Sequence, residues 1–210
     1  MISIGDGVIA MELGHVLRRT GCNVTILEAV PQLLTRMDPG AIAEIERESE
    51  RIGIKTLKSV DMKSIAGDGK TLTVSFVHAL VKKPLSAARV ANDTARVTNI
   101  DGLDLKASRI IYCGLRIEVD EYLRSISNLN VYVARDALSH TAQLSPVPKY
   151  EGRLVGDNIV NGDSKTPDYS YMPSAIYTMP AVATVGLTEV EADTAGKNYE
   201  AKTNDLSGWM

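Results

Sequence analysis

The 210-residue sequence contains one phenylalanine, one tryptophan and two cysteines. Any core it builds must therefore be mostly aliphatic. Cys22 and Cys113 lie far apart, which excludes a disulfide framework and gives no metal-ligand spacing. Reduced, buried thiols of a cytoplasmic protein are the expectation for both. No apolar run approaches the ~20 residues of a membrane span, and no basic-then-apolar leader precedes Gly5. The net charge of −3 is too small for broad attraction to nucleic acid or an anionic membrane. There is no internal repeat and no low-complexity tract. The three histidines, His15, His78 and His140, stand in no metal or catalytic pattern.

What the chain does have is glycine in a particular place. It opens "MISIGDGVIAMELGHVLRRTGCNVTILE". An apolar stub leads into Gly5-x-Gly7-x-x-Ala10. A helix is expected over 8–20, with Ile9, Leu13, Val16 and Leu17 at helical spacing and a stop at Gly21. "NVTILE" reads as a buried parallel strand ending in Glu28. This is a β-α-β unit within thirty residues. A second helix is bounded by the Asp38 cap, Pro39 and Gly53, with Ile42, Ile45, Ser49 and Ile52 on one face. "GIKTL" is a third strand. "AGDGKT" then signals a hairpin, and "TLTVSFV" alternates as an antiparallel strand. Residues 79–105 read as a loop with one edge strand. "SRIIYCG" reads as a short buried strand ending in Gly114, and "NVYVARD" as another with Asp136 at its tip. A helix is expected over 149–160, and "AVATVGL" is a late strand.

The glycine turn carries chemistry. Gly5 permits a tight strand-to-helix turn. Gly7 lacks a Cβ, so backbone can approach a pyrophosphate. Ala10 lets helix and strand pack closely. The free N–H groups at the helix start then face the phosphates. Glu28, about twenty residues on, is placed to accept hydrogen bonds from a ribose. The alternatives are a glycine turn used only for packing, and a solvated acid at a strand end. A carboxylate at Glu28 would repel a 2′-phosphate, which favours NAD(H) over NADP(H).

With these motifs the chain resembles the flavin-dependent pyridine nucleotide–disulfide oxidoreductases, of dihydrolipoamide dehydrogenase, glutathione reductase and mercuric reductase type. "GDGVIAMELGHVLRRTGCNVTILE" is similar to the family's NAD segment. "RIIYCG" resembles its strand ending in Ala-Thr-Gly-Arg, and "VDEYLRSISNLNVYVARDA" its second flavin motif. "LSPVPKYEGR" and "YSYMPSAIYTMPAVATVGLTEVEA" follow in the family's order. The resemblance leans towards dihydrolipoamide dehydrogenase through Glu28, "ELG" and "AIYTMP".

The resemblance implies an α/β fold: a Rossmann-like NAD-binding domain with a parallel sheet and an antiparallel β excursion, over residues 1–122. Residues 123–168 would be the C-terminal part of a flavin-binding domain, and 169–210 the N-terminal part of an α+β dimerisation domain. The chain then corresponds to the central portion of a longer protein. Gly5, Gly7, Ala10 and Glu28 would hold NAD. Glu12 would lie near nicotinamide and flavin, Gly114 would contact the dinucleotide through its backbone, Asp136 would bind the flavin ribityl chain, and Ser145 would lie near the flavin. FAD and a disulfide substrate belong to the parent family. Residues 169–210 would carry a homo-oligomer contact. Arg135 stands where the family has glycine, and Pro148 where alanine is usual. Neither cysteine matches the family's Cys-x4-Cys pair, so no catalytic or metal residue is assigned. Three functions stay open: an NADH-linked disulfide oxidoreductase, a non-catalytic NAD-binding module, and an interaction fragment.

Overall fold

The computed structural model describes residues 1–35, 37–94, 98–114, 116–138 and 146–204. The chain divides into two compact units, Met1–Thr94 with Ala175–Met210, and Ala95–Ser174.

The first unit is built on a four-stranded parallel sheet. Its strands are β1 (Ile2–Ile4), β2 (Thr25–Leu27), β3 (Lys55–Leu57) and β7 (Val90–Asn92), in the order β3-β2-β1-β7. β1 is buried along its whole length, as a central parallel strand must be. Helix α1 (Val8–Arg19) and helix α2 (Pro39–Arg51) are the crossovers. Asp38 caps α2 by accepting from the N–H groups of Gly40 at 2.8 Å and Ala41 at 3.3 Å, with Pro39 in the first turn. Ile42, Ile45 and Ser49 are its buried face, as the spacing predicts.

Helix α1 turns a different face inward. Its buried residues are Ala10, Met11, Gly14 and His15, while Ile9, Leu13 and Val16 are exposed. Small residues one turn apart let the helix sit close on the sheet, and larger side chains there would hold it off. The apolar spacing of 9, 13 and 16 therefore marks an outer stripe.

Two aliphatic layers enclose the sheet. Met11, Ile26, Met37, Ile42, Ile45, Ile54 and Ile176 pack on one side. On the other, Ile2, Ile4 and Leu27 meet Val60, Val74 and Phe76. The last two belong to an antiparallel meander of β4 (Asp61–Gly67), β5 (Leu72–His78) and β6 (Val81–Ala87). The chain's one phenylalanine, Phe76, is 2% exposed in this layer. The β4–β5 turn is closed by Asp68, whose Oδ1 accepts from the N–H groups of Lys70 and Thr71. The β5–β6 turn uses Ala79 and Leu80 with positive φ (49° and 64°), where glycine or asparagine is usual. That turn and Pro84, on an edge strand, hid β6 from the sequence pattern. So 79–105 contains two strands, β6 and β7, where one edge strand is expected.

The parallel partner of β1 on this side is Val90–Asn92. The 109–114 stretch lies in the second unit. There β8 (Tyr112–Cys113) pairs antiparallel with β9 (Arg116–Ile117), and Ile111 and Tyr112 are exposed. A buried strand at "SRIIYCG" is thus corrected to a two-residue hairpin arm. Ile100, Leu105, Ile110, Ile117, Leu123, Val133 and Leu138 form this unit's core. In place of a strand at 130–136 there is an isolated bridge, Arg124 to Tyr132, and a 3₁₀ turn over Arg135–Ala137. Helix α3 spans Pro146–Asn161. The chain then returns to the first unit through β10 (Ser174–Ile176), β11 (Val182–Thr184) and the short α4 (Glu189–Thr194). Thr188 and Glu191 form a reciprocal capping box at the start of α4.

Cys22 is a free, exposed thiol, so the expectation of burial is corrected there. Its position in the turn after α1 leaves nothing to cover it. Among the described residues, no helix is long and apolar enough to cross a membrane.

Candidate dinucleotide site

The turn between β1 and α1 has the geometry its sequence requires. Gly5 has φ +93°, and its N–H donates to Leu27 O at 2.9 Å. A side chain there would be strained and would also meet Asp93 O at 2.7 Å. Gly7 is the N-cap of α1 and brings no capping side chain of its own. Ala10 is buried.

Asp93, the residue after β7, reaches this turn. Its backbone N–H donates to Ile4 O at 2.8 Å. Its side-chain Oδ2 accepts from the Ala10 N–H at 3.0 Å. A Cβ placed on Gly7 would collide with the same oxygen. The space that glycine leaves open is therefore filled by a carboxylate, which satisfies an N–H group at the helix start. Eighty-three residues separate the two partners. No local pattern announces the contact.

Glu28 follows β2 at the sheet's carboxyl end. It is 8% exposed, and its Oε1 accepts from the Val30 N–H at 2.9 Å. It faces a second acid, Asp6, the middle residue of the glycine turn. Asp6 accepts from the Leu34 N–H. Burial pushes Asp6 up to about 6 against the pull of that N–H, and the hydrogen bond and charge of Glu28 add to the rise. Asp6 and Glu28 thus face one another as two acids, and Asp6 keeps its proton up to about pH 6. The sequence signal for Asp6 was its place between the two glycines, beside the strand end that carries Glu28.

Glu12 lies on the partly buried side of α1. Its Oε1 accepts from the Tyr177 N–H at 2.8 Å, which fixes it to the segment after β10. His15, one turn on, is buried between Ser49 and the Met179 N–H.

The remaining sequence-predicted residues belong to the second unit or lie outside the described residues. Gly114 is in the β8–β9 turn, with φ +62°. Asp136 is in the 3₁₀ turn and is partly buried, and its backbone O accepts from Thr98 Oγ1 at 3.0 Å. Arg135 adopts φ +65°, so the backbone keeps a glycine-like conformation although the residue is arginine. Its N–H donates to Glu151 Oε2 at 2.7 Å. Glu151 is fully buried and also accepts from Tyr169 OH at 2.9 Å. Burial, with the Glu151 hydrogen bond, pushes the Tyr169 phenol well above its usual range. Ser145 lies outside the described residues. The structure thus brings Gly5, Gly7, Ala10, Glu12 and Glu28 together in one unit, and places Gly114 and Asp136 in the other. Among the described residues, no group of three metal-ligating side chains converges.

Comparison with known proteins identifies the fold's relatives. Residues 1–152 match the family described as pyridine nucleotide-disulphide oxidoreductase. The chain belongs to that family. It is 31% identical over 198 residues to dihydrolipoyl dehydrogenase of Mycobacterium tuberculosis, covering 93% of this chain and 42% of that protein. It is 30% identical over 204 residues to mercuric reductase of Lysinibacillus sphaericus, covering 97% of this chain and 37% of that protein. The chain therefore spans about two fifths of the curated relatives it matches. Among solved structures, LpdA from Mycobacterium tuberculosis superposes with a TM-score of 0.82 at 20% identity, over 92% of this chain and 41% of that one. The HOCl-induced flavoprotein disulfide reductase RclA from Escherichia coli superposes at 0.80 and 21%, over 93% and 44%. These share the mixed α/β fold with its parallel and antiparallel sheets.

Proposed function

We propose that this chain is the NAD(H)-binding portion of a flavoprotein disulfide oxidoreductase, nearest in kind to dihydrolipoyl dehydrogenase. The observation that carries the reading is the join of the Gly5–Ala10 turn to Glu28 at the carboxyl end of neighbouring parallel strands. Ligands of doubly wound sheets bind at such strand ends. In this reading Glu28 accepts from the adenosine ribose and disfavours a 2′-phosphate. Glu12, Gly114, Asp136 and Ser145 keep the cofactor roles that the family resemblance implies, and 1–122, 123–168 and 169–210 remain the proposed domain segments.

Flavin fits less directly. The sequence has one glycine fingerprint of this kind, and Glu28 pairs it with NAD. Asp136 would touch at most the flavin's middle, and the Arg135 side chain crowds that approach. The disulfide substrate and a cytoplasmic, dimeric setting come with the parent family. Mercuric or glutathione reductase-like activity is the alternative within it.

A second reading, an interaction module, is favoured by Asp93, whose carboxylate stands where a pyrophosphate would bind. Titration calorimetry with NADH and NADPH tests the first reading. NADH should bind more tightly, and Glu28→Ala should narrow the gap. Equal affinities, or a preference for NADPH, would remove the assignment of Glu28.

A further inference from the structure

The start of α1 is a place where a phosphate would be expected and where the chain has put its own anion. Asp93 Oδ2 accepts from the Ala10 N–H at 3.0 Å and occupies the space that a Gly7 Cβ would need. Those are the two features that a pyrophosphate uses, the free helix N–H and the missing side chain. A carboxylate and a diphosphate are both anions, and they cannot share this volume.

We propose that Asp93 is an internal occupant of the pyrophosphate position and that NAD(H) enters only by displacing its side chain, so that Asp93 sets the chain's affinity for the cofactor. This rests on the dinucleotide-binding reading above and goes one step beyond it. The backbone of Asp93 is pinned to the sheet through its N–H on Ile4 O at 2.8 Å, and its carbonyl backs onto Gly5. The strand end therefore stays where it is, and the side chain must rotate away. When it does, the Ala10 N–H passes from the carboxylate to the incoming phosphate. The displaced carboxylate remains close to a diphosphate on a fixed backbone, so repulsion persists in the bound state. The acid pair Asp6–Glu28 stands at the ribose end of the same turn and does not relieve it.

The experiment compares the native chain with Asp93→Asn and Asp93→Ala, by NADH calorimetry and by adenosine as a phosphate-free probe. Asn removes the charge and keeps an acceptor for the Ala10 N–H. Ala removes the occupant as well. The expected order of NADH affinity is Ala, then Asn, then native, with roughly tenfold or more between the extremes, the size of one screened charge contact. Adenosine should bind all three alike. If Asp93→Ala does not fold, as far-UV circular dichroism will show, Asp93→Asn alone decides between gain and no gain. Measurable and equal NADH binding by all three proteins would overturn the role of Asp93 and leave the cofactor reading standing. No NADH binding by any of them would overturn both.

Discussion

His15 Nε2 lies 2.9 Å from Ser49 Oγ, joining α1 to α2 inside the core. Ser49 donates its own proton to Ile45 O at 2.7 Å. The imidazole must then donate through Nε2, which leaves Nδ1 as the acceptor facing the Met179 N–H at 3.5 Å. One neutral tautomer thus ties two helices and the segment after β10 together.

A pH dependence follows from that tautomer. Burial first, and then the Arg19 charge, hold His15 below its ordinary value, and Glu48 opposes them. The unfolded chain takes up a proton near pH 6.5, and the folded chain resists it. The contribution of His15 to stability is therefore complete above about 6.5 and declines as the pH falls below it. Urea midpoints measured from pH 5 to 8 should show this decline, and His15→Gln should flatten it. The variant itself should cost about 1–3 kcal/mol at pH 8. An unchanged slope would show that His15 is not held neutral.

Asp6 gives the opposite sign. Its folded value of about 6 lies above the unfolded one, so the folded state holds the proton more tightly. That contribution is present below about pH 4 and is lost as the pH rises through 6. Carbon-detected carboxyl titration should find a step near 6 belonging to the Asp6–Glu28 pair. Asp6→Asn should abolish it. A pair that titrates wholly near 4 would mean the two acids stand apart in solution.

The segment after β10 should mediate self-association. Tyr177 is 76% exposed and Met179 62%, with Val185, Leu187 and Val190 also open to solvent. Exposed apolar side chains in such number, beside short strands, favour contact with another chain. Light scattering should report an oligomer, and Tyr177→Asp with Leu187→Asp should shift it towards monomer. A native chain that is monomeric at high concentration would defeat this assignment.

The 210 residues by themselves should not reduce a disulfide. Electron transfer through a flavin to a substrate needs a thiol pair close enough to exchange. The sequence offers only Cys22 and Cys113, and neither matches the family's Cys-x4-Cys pair. Adding FAD, NADH and lipoamide to the pure chain should give no NADH oxidation above background. Turnover lost on Cys22→Ser or Cys113→Ser would reverse this.

The sequence by itself determined the parts whose causes lie within a few residues of one another. The positive-φ turn at Gly5, the Asp38–Pro39 start of α2, the hairpin at Asp68–Gly69 and the buried run of β2 are of this kind. Backbone sterics and caps decide them locally. Tertiary structure decided the rest. Which side of α1 faces the sheet depended on close approach at Ala10 and Gly14, against the reading of its apolar stripe. Which segment lies beside β1 depended on pairing across the sheet, which brought 90–92 there. The state of Asp6 depended on burial facing Glu28, and the filling of the glycine cradle on a residue 83 positions away. Desolvation, charge proximity and steric exclusion act through space, and the order of residues along the chain does not contain them until the chain has folded.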